Sequence, residues 1–176
     1  MSDAPGRRCA SPRPIFPLLV LLPILIVVLD QLLKAVMVQW LGPESTLHRW
    51  ELAGSSLAFE YLENRGAAFG ILPNQTELLT VLSTGIAVAG IALMWRESRT
   101  HPMMAIAIGM VVGGAVGNII DRIRLGYVVD FIAVGVWPKF NLADAMITMG
   151  VLLLLWSTVQ EERRDTRSNQ GINTHE

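Results

Sequence analysis

Chemistry-bearing side chains are scarce in this chain of 176 residues: it has one cysteine, three histidines and only 16% charged residues. Cys9 stands alone, so it forms no internal disulfide, and no cysteine pair offers a zinc site; redox chemistry is disfavoured on the same ground. The histidines, His48, His101 and His175, are scattered over loops and tail, and no His-Glu-x-x-His pair occurs. A serine nucleophile needs a base, and no histidine sits in a motif that supplies one. If the chain is an enzyme, aspartates are the groups left to carry the reaction.

Apolar sequence is abundant: 52% of residues are hydrophobic and the mean hydropathy is +0.45. Four runs, Ile15 to Val38, Leu78 to Trp95, Met103 to Ile120 and Leu142 to Val159, each have about the length needed to cross roughly 30 Å of hydrocarbon. An all-α membrane protein is expected, with four transmembrane helices and a small β-containing segment on the outer surface. The four-helix domain covers 15–159, with the outer segment at 39–77, between a flexible N-terminus (1–14) and a polar tail (160–176). The first run follows Arg7, Arg8 and Arg13 but lacks a small-residue cleavage site and continues through Asp30-Gln31-Leu32-Leu33-Lys34, so it reads as a retained helix.

Net charge is −1, which is uninformative, but the cations are unevenly spread. Arg7, Arg8, Arg13, Arg96, Arg99, Arg163, Arg164 and Arg167 fall on one side, and Arg49, Arg65, Arg122, Arg124 and Lys139 on the other. Positive residues favour the cytoplasmic side, so both termini are expected inside. The segment between the first two runs is too long for an idle turn, and in it Leu57, Phe59 and Tyr61 alternate with Ala58 and Glu60 before Asn64-Arg65-Gly66, as in a strand and turn. In the third run Ala105, Gly109, Gly113 and Gly117 recur every four residues, the small-xxx-small stripe that lets helix backbones approach in lipid. Trp40, Trp95, Trp137 and Trp156 suit interfacial anchoring.

On this topology the unusual polar residues gather at the outer end. Asp30 and Lys34 share a face of the first helix, Asn64 lies in the outer segment, and Asn118, Asp121 and Arg122 end the third helix. Asn141 and Asp144 begin the fourth, and Asp130 lies in the connection between those two groups. A carboxylate at a spanning helix's centre costs roughly 2.5 to 3.5 kcal/mol, less towards the ends, so such acids suggest function. Plainer readings stand beside this one. Asp30 and Lys34 form an intrahelical pair; Asn141 caps the fourth helix with Asp144 in its first turn; Asp121 and Arg122 are interfacial charge. Asp121 is disfavoured at a helix C-terminus, so its persistence points to a partner. Asp130 and Asp144 suggest an acid/base pair, because two close carboxyl groups share a proton and titrate together. Local chemistry nominates Asp121 equally well. A small ion-coupled transporter or channel subunit predicts polar residues spread through the membrane depth rather than clustered, and a noncatalytic scaffold would use the glycine stripe as its contact surface.

Five motifs occur in order: Asp30-Gln31-Leu32-Leu33-Lys34; Asn64-Arg65-Gly66-Ala67-Ala68-Phe69; Gly113-Gly114-Ala115-Val116-Gly117-Asn118-Ile119-Ile120-Asp121-Arg122; Val128-Val129-Asp130-Phe131; and Phe140-Asn141-Leu142-Ala143-Asp144. Together they resemble the lipoprotein signal peptidases, or signal peptidase II. The resemblance implies an aspartic endopeptidase of the bacterial inner membrane, active near the outer face without metal or organic cofactor. Its substrate would be a diacylglyceryl-modified prolipoprotein, cut before the lipidated cysteine. It implies Asp130 and Asp144 as the catalytic pair, Asn64, Asn118, Asp121, Arg122 and Asn141 as residues shaping the site and holding substrate, and Asp30 with Lys34 as a supporting pair. The expected partners are that substrate and membrane lipids, with no nucleic acid, and a monomer is expected.

Overall fold

The computed structural model describes residues 16–52, 56–66, 75–97 and 101–172. Four helices dominate: α1 (Phe16–Leu41), α2 (Thr76–Glu97), α3 (Pro102–Leu125) and α4 (Leu142–Ile172). All four are long and apolar enough to cross a membrane, α4 over Leu142–Gln160. The helix α4 runs on past Val159, where the apolar stretch ends, because residues such as Gln160, Glu161 and Arg163 propagate a helix well. Residues 1–14 lie outside those described.

The central helix is α3, which packs against α1, α2 and α4. Its spanning window is 56% buried, against 17–22% for the other three. Small side chains make this possible. A Cβ at Gly113 would come within 3.0 Å of the Pro23 backbone of α1, and one at Gly114 would strike the Ala143 carbonyl of α4. Gly150 returns the fit from α4, where a Cβ would lie 2.7 Å from the Ala107 carbonyl of α3. With no hydrophobic drive between helices in lipid, such close backbone contact holds the bundle.

At one end of the bundle sits an antiparallel sheet of three strands, β1 (Arg49–Glu51), β2 (Leu57–Asn64) and β3 (Val128–Val134), in the order β1-β2-β3. Strand β2 lies where alternation of Leu57, Phe59 and Tyr61 predicts one. Strand β3 falls in a stretch the sequence reads only as a connection. It carries apolar residues on both faces and six of its seven residues are buried or half-buried, so the alternation that marks a half-exposed strand is missing. Tilted and stacked rings fasten the sheet to α1: Trp40 lies 5.1 Å from Trp50, Trp50 6.0 Å from Phe59, and Phe59 6.4 Å from Phe131, ring centre to ring centre. Met37, Leu41 and Phe131 form the small core beneath it. The turn from α3 into β3 is made by Gly126 at φ 80°, whose N–H donates to the Arg122 carbonyl at 3.1 Å.

Replacing Gly114 with alanine should destabilise the protein. Alanine gains about 1 kcal/mol of helix propensity, but overpacking against backbone costs about 1–3 kcal/mol. Gly85→Ala on α2, where a Cβ meets nothing within 4 Å, should be neutral or stabilising. Thermal unfolding in one detergent compares them; equal midpoints would refute the packing role of Gly114.

Candidate active site

The bundle end under the sheet is where α1 and α3 finish and α4 begins, so three helix termini and β3 deliver polar groups to one place. Asp30, Lys34, Asn118, Asp121, Asp130 and Asn141 are all buried there. Burying so much polarity is tolerable only if each group is paired. Among the described residues no buried side-chain nitrogen or oxygen lacks a partner.

Lys34 forms the hub. Its ammonium lies 2.8 Å from Asp30 one turn earlier on α1 and 2.8 Å from Asp121 on α3, and donates to Asn118 Oδ1 at 3.0 Å. Asp121 therefore has the partner its awkward helix position demands. It also accepts from the Val129 N–H at 3.1 Å, which fixes the start of β3 to α3. Asp30 reaches α4, where its Oδ1 accepts from the Ala143 N–H at 3.0 Å, one of the donors a helix start leaves free. Gly117 leaves room for this: a Cβ there would lie 2.7 Å from Asp30 Oδ2.

Asn141 caps α4 and does more. Its Oδ1 accepts from the Asp144 N–H at 2.9 Å, and Asp144 Oδ2 accepts in return from the Asn141 N–H at 3.3 Å, a capping box with aspartate as its acid. The same Asn141 amide donates to Asp130 Oδ1 at 2.7 Å. The capping reading and the acid-pair reading are thus compatible, since a single asparagine hydrogen-bonds both carboxylates. Asp130 Oδ2 accepts from Asn64 at 2.8 Å, and Asp144 Oδ1 from Asn118 at 2.7 Å. The Asn64 amide is itself held by the Gly66 N–H, which donates to its Oδ1 at 3.0 Å.

The two acids face different surroundings. Asp130 is fully buried on β3, and burial, followed by the nearby Asp144 charge, pushes its carboxyl up to about 7 against the hydrogen bonds from Asn64 and Asn141. Asp144 is half-buried and lines a cleft of about 580 Å³ with Asn64, Arg122, Trp137, Phe140 and Met149. Arg122 is within electrostatic range of Asp144, Asp130 and Asp121. The cleft follows α4 from Asp144 to Met149, reaching from the polar cluster along a helix that exposes Met149, Val151, Leu152, Leu155 and Trp156. At its rim Lys139 donates to Glu60 at 2.6 Å, and Glu60 also pairs with Arg49 at 2.8 Å. The Lys139 hydrogen bond is the main influence holding the Glu60 carboxyl below its usual range.

Eight of the nine residues expected from sequence, Asp30, Lys34, Asn64, Asn118, Asp121, Asp130, Asn141 and Asp144, thus form one connected network, with Arg122 in the cleft beside it. Gln31, which local sequence does not mark, also belongs to the network: its amide donates to Asp121 Oδ1 at 2.9 Å and to the Gly117 carbonyl at 3.2 Å. The available signal was a lone amide beside Asp30 in an apolar run.

A family model described as signal peptidase (SPase) II matches residues 22–160. The chain belongs to the signal peptidase II family. It is 39% identical over 146 residues to a lipoprotein signal peptidase of Syntrophomonas wolfei, covering 82% of this chain and 95% of that one. A lipoprotein signal peptidase of Mycobacterium bovis is 38% identical over 154 residues, covering 82% and 73%. A bacterial membrane enzyme solved by the in meso method at 2.3 Å superposes with a TM-score of 0.75 at 27% identity, over 84% of this chain and 90% of that one. Membership of the signal peptidase II family makes the chain a membrane peptidase and fits a bacterial inner-membrane location.

The double role of Asn141 is separable. Asn141→Ala removes the α4 cap, worth about 1 kcal/mol, together with a donor to Asp130, and should lower the unfolding midpoint. Asn141→Ser restores a cap acceptor and should recover part of the loss. Equal midpoints for the two variants would rule out the cap as a source of stability.

Proposed function

We propose that the chain is an aspartic endopeptidase whose Asp130 and Asp144 share one proton and cut diacylglyceryl-modified prolipoproteins before the lipidated cysteine, releasing the signal peptide. The observation that carries this reading is Asn141 donating to buried Asp130 while exchanging hydrogen bonds with Asp144 at the edge of a cleft. Adjacent carboxyl groups cannot both ionise cheaply, so one holds a proton. The ionised member takes a proton from water as that water attacks the scissile carbonyl, and the protonated member donates to the carbonyl oxygen. Collapse of the tetrahedral intermediate returns a proton to the leaving amine. The chain's own residues supply both carboxyl groups, and the reading calls on no metal or organic cofactor.

The remaining residues support this chemistry by position. Arg122 and Asn64 border the cleft and are suited to contact the backbone or lipid of a bound substrate. The cleft's extension along α4 to Met149 suits a substrate tethered in the bilayer, which reaches the site by diffusing in the membrane plane. The excess of arginine near both ends and between α2 and α3 favours cytoplasmic termini, which would set the site near the outer face. We read the protein as acting as a monomer among membrane lipids.

Purified protein incubated with a diacylglyceryl-modified prolipoprotein should cleave it immediately before the modified cysteine. Asp130→Asn and Asp144→Asn, each near-isosteric, should lower the rate by roughly 10²–10⁴-fold while remaining folded. Cleavage persisting in both variants would sink the dyad.

The pH profile tests the shared proton. Asp130 titrates near 7, well above the ordinary aspartate range, so the proton is present below that pH and lost above it. The alkaline limb of kcat/KM should therefore centre near pH 7. The Asn64 hydrogen bond favours the ionised form of Asp130, so Asn64→Leu should move that limb to higher pH. Movement to lower pH would contradict the assignment.

A further inference from the structure

The asparagines at this site each present a donor and an acceptor, and which end faces which carboxylate decides whether an acid is stabilised or repelled. Asn118 is the critical case. Turned one way, its NH₂ faces Asp144; turned the other, an amide oxygen would stand against a carboxylate oxygen. Lys34 removes the choice, because an ammonium can only donate. It donates to Asn118 Oδ1 at 3.0 Å, and the Asn141 NH₂ donates to the same oxygen at 3.2 Å. With its oxygen taken by two donors, the Asn118 NH₂ must point away from them, and it donates to Asp144 Oδ1 at 2.7 Å. Asn141 is fixed by a second group that only donates, the Asp144 N–H on its Oδ1, so its own NH₂ turns to Asp130.

We infer that Lys34 is a positioning residue that acts on Asp144 through Asn118, setting the donor direction of the amide relay that feeds the candidate dyad. Asp30 and Asp121 hold the ammonium in place, each at 2.8 Å, and the Gln31 amide on Asp121 Oδ1 leaves Oδ2 for Lys34 and the Val129 N–H. The Asp30–Lys34 pair thus does more than make two charges tolerable on one helix. It defines the hydrogen-bond polarity of Asn118 towards the start of α4. This inference rests on the dyad reading above.

A double-mutant cycle separates this role from a through-space effect of the Lys34 charge. Lys34→Gln keeps a donor but adds an acceptor, so Asn118 Oδ1 keeps only the longer 3.2 Å bond from Asn141 as a donor that orients it; kcat on a diacylglyceryl-modified prolipoprotein should fall roughly tenfold to a hundredfold, the span of a lost charge-assisted hydrogen bond, with KM within about twofold. Lys34→Arg, which also only donates, should restore most of the rate. In an Asn118→Leu background the relay is already cut, so adding Lys34→Gln should change kcat by less than about twofold. Multiplicative losses in the double variant would overturn the inference in favour of bare charge. So would wild-type kcat in folded Lys34→Gln.

Infrared spectroscopy gives a readout independent of turnover. The carboxyl bands that disappear in Asp144→Asn should shift in Lys34→Gln and in Asn118→Leu, and stay in place in the rim variant Glu60→Gln. Bands unmoved by Lys34→Gln would also overturn the inference. If Asp130→Asn and Asp144→Asn both keep cleaving, the dyad reading falls by itself; if both are inactive while Lys34→Gln is fully active, only the relay falls.

Discussion

The structure depends on one buried cation shared between two carboxylates. Lys34 lies among the apolar ends of three helices with Asp30 and Asp121 each 2.8 Å away. Desolvation offsets much of the attraction in such a cluster, and an apolar replacement of similar volume is often as stable. Stability is therefore a weak reason for it to exist. Its geometric consequences are stronger: Asp30 reaches the α4 N-terminus through Ala143, Asp121 reaches the start of β3 through Val129, and Lys34 reaches Asn118. One charge cluster thereby registers α1, α3, α4 and the sheet against one another.

Packing decides whether that cluster can form. A hydrogen bond is effective within a few tenths of an ångström of its ideal length, so helix axes must come close before short side chains can span them. The glycines of α3 supply that approach on two sides of one turn, Gly113 against Pro23 of α1 and Gly114 against the Ala143 carbonyl of α4, and Gly117, one turn on, leaves the space that Asp30 occupies. The stripe looks like ordinary membrane-helix packing. Its last member also shapes the polar site, so packing and site geometry are one constraint at that end of the bundle.

Much of this was legible in the sequence, and the rest was hidden for identifiable reasons. Four apolar runs announce four helices, and isolated acids, amides and one lysine at their ends announce a polar cluster. Strand β3 is hidden in the sequence because its apolar residues occupy both faces, which erases the period of two. Gln31 carries no local signal of its role, because a single amide within a helix is unremarkable until Asp121 and the Gly117 carbonyl are brought to it across 86 to 90 residues of chain. The capping pattern of Asn141 and Asp144 was visible, but local sequence offers capping and site chemistry as alternatives. Only the fold brings Asp130 to the same amide and makes the two readings compatible.

The acid that spacing alone nominates as readily as the others, Asp121, shows what sequence lacks. Its two oxygens accept from Gln31, Lys34 and the Val129 N–H, and it is buried away from the cleft wall. A carboxylate so held is immobile and closed to water, which suits a brace. Asp144 accepts one short amide bond and one longer backbone bond, and its remaining surface faces the cleft. Asp130 behind it is the acid whose proton burial retains to about pH 7. What separates Asp121 from the proposed pair is the number of fixed donors around each oxygen and whether open space is left beside it. Both are set by residues up to 90 positions away in the chain, and neither follows from the local motif.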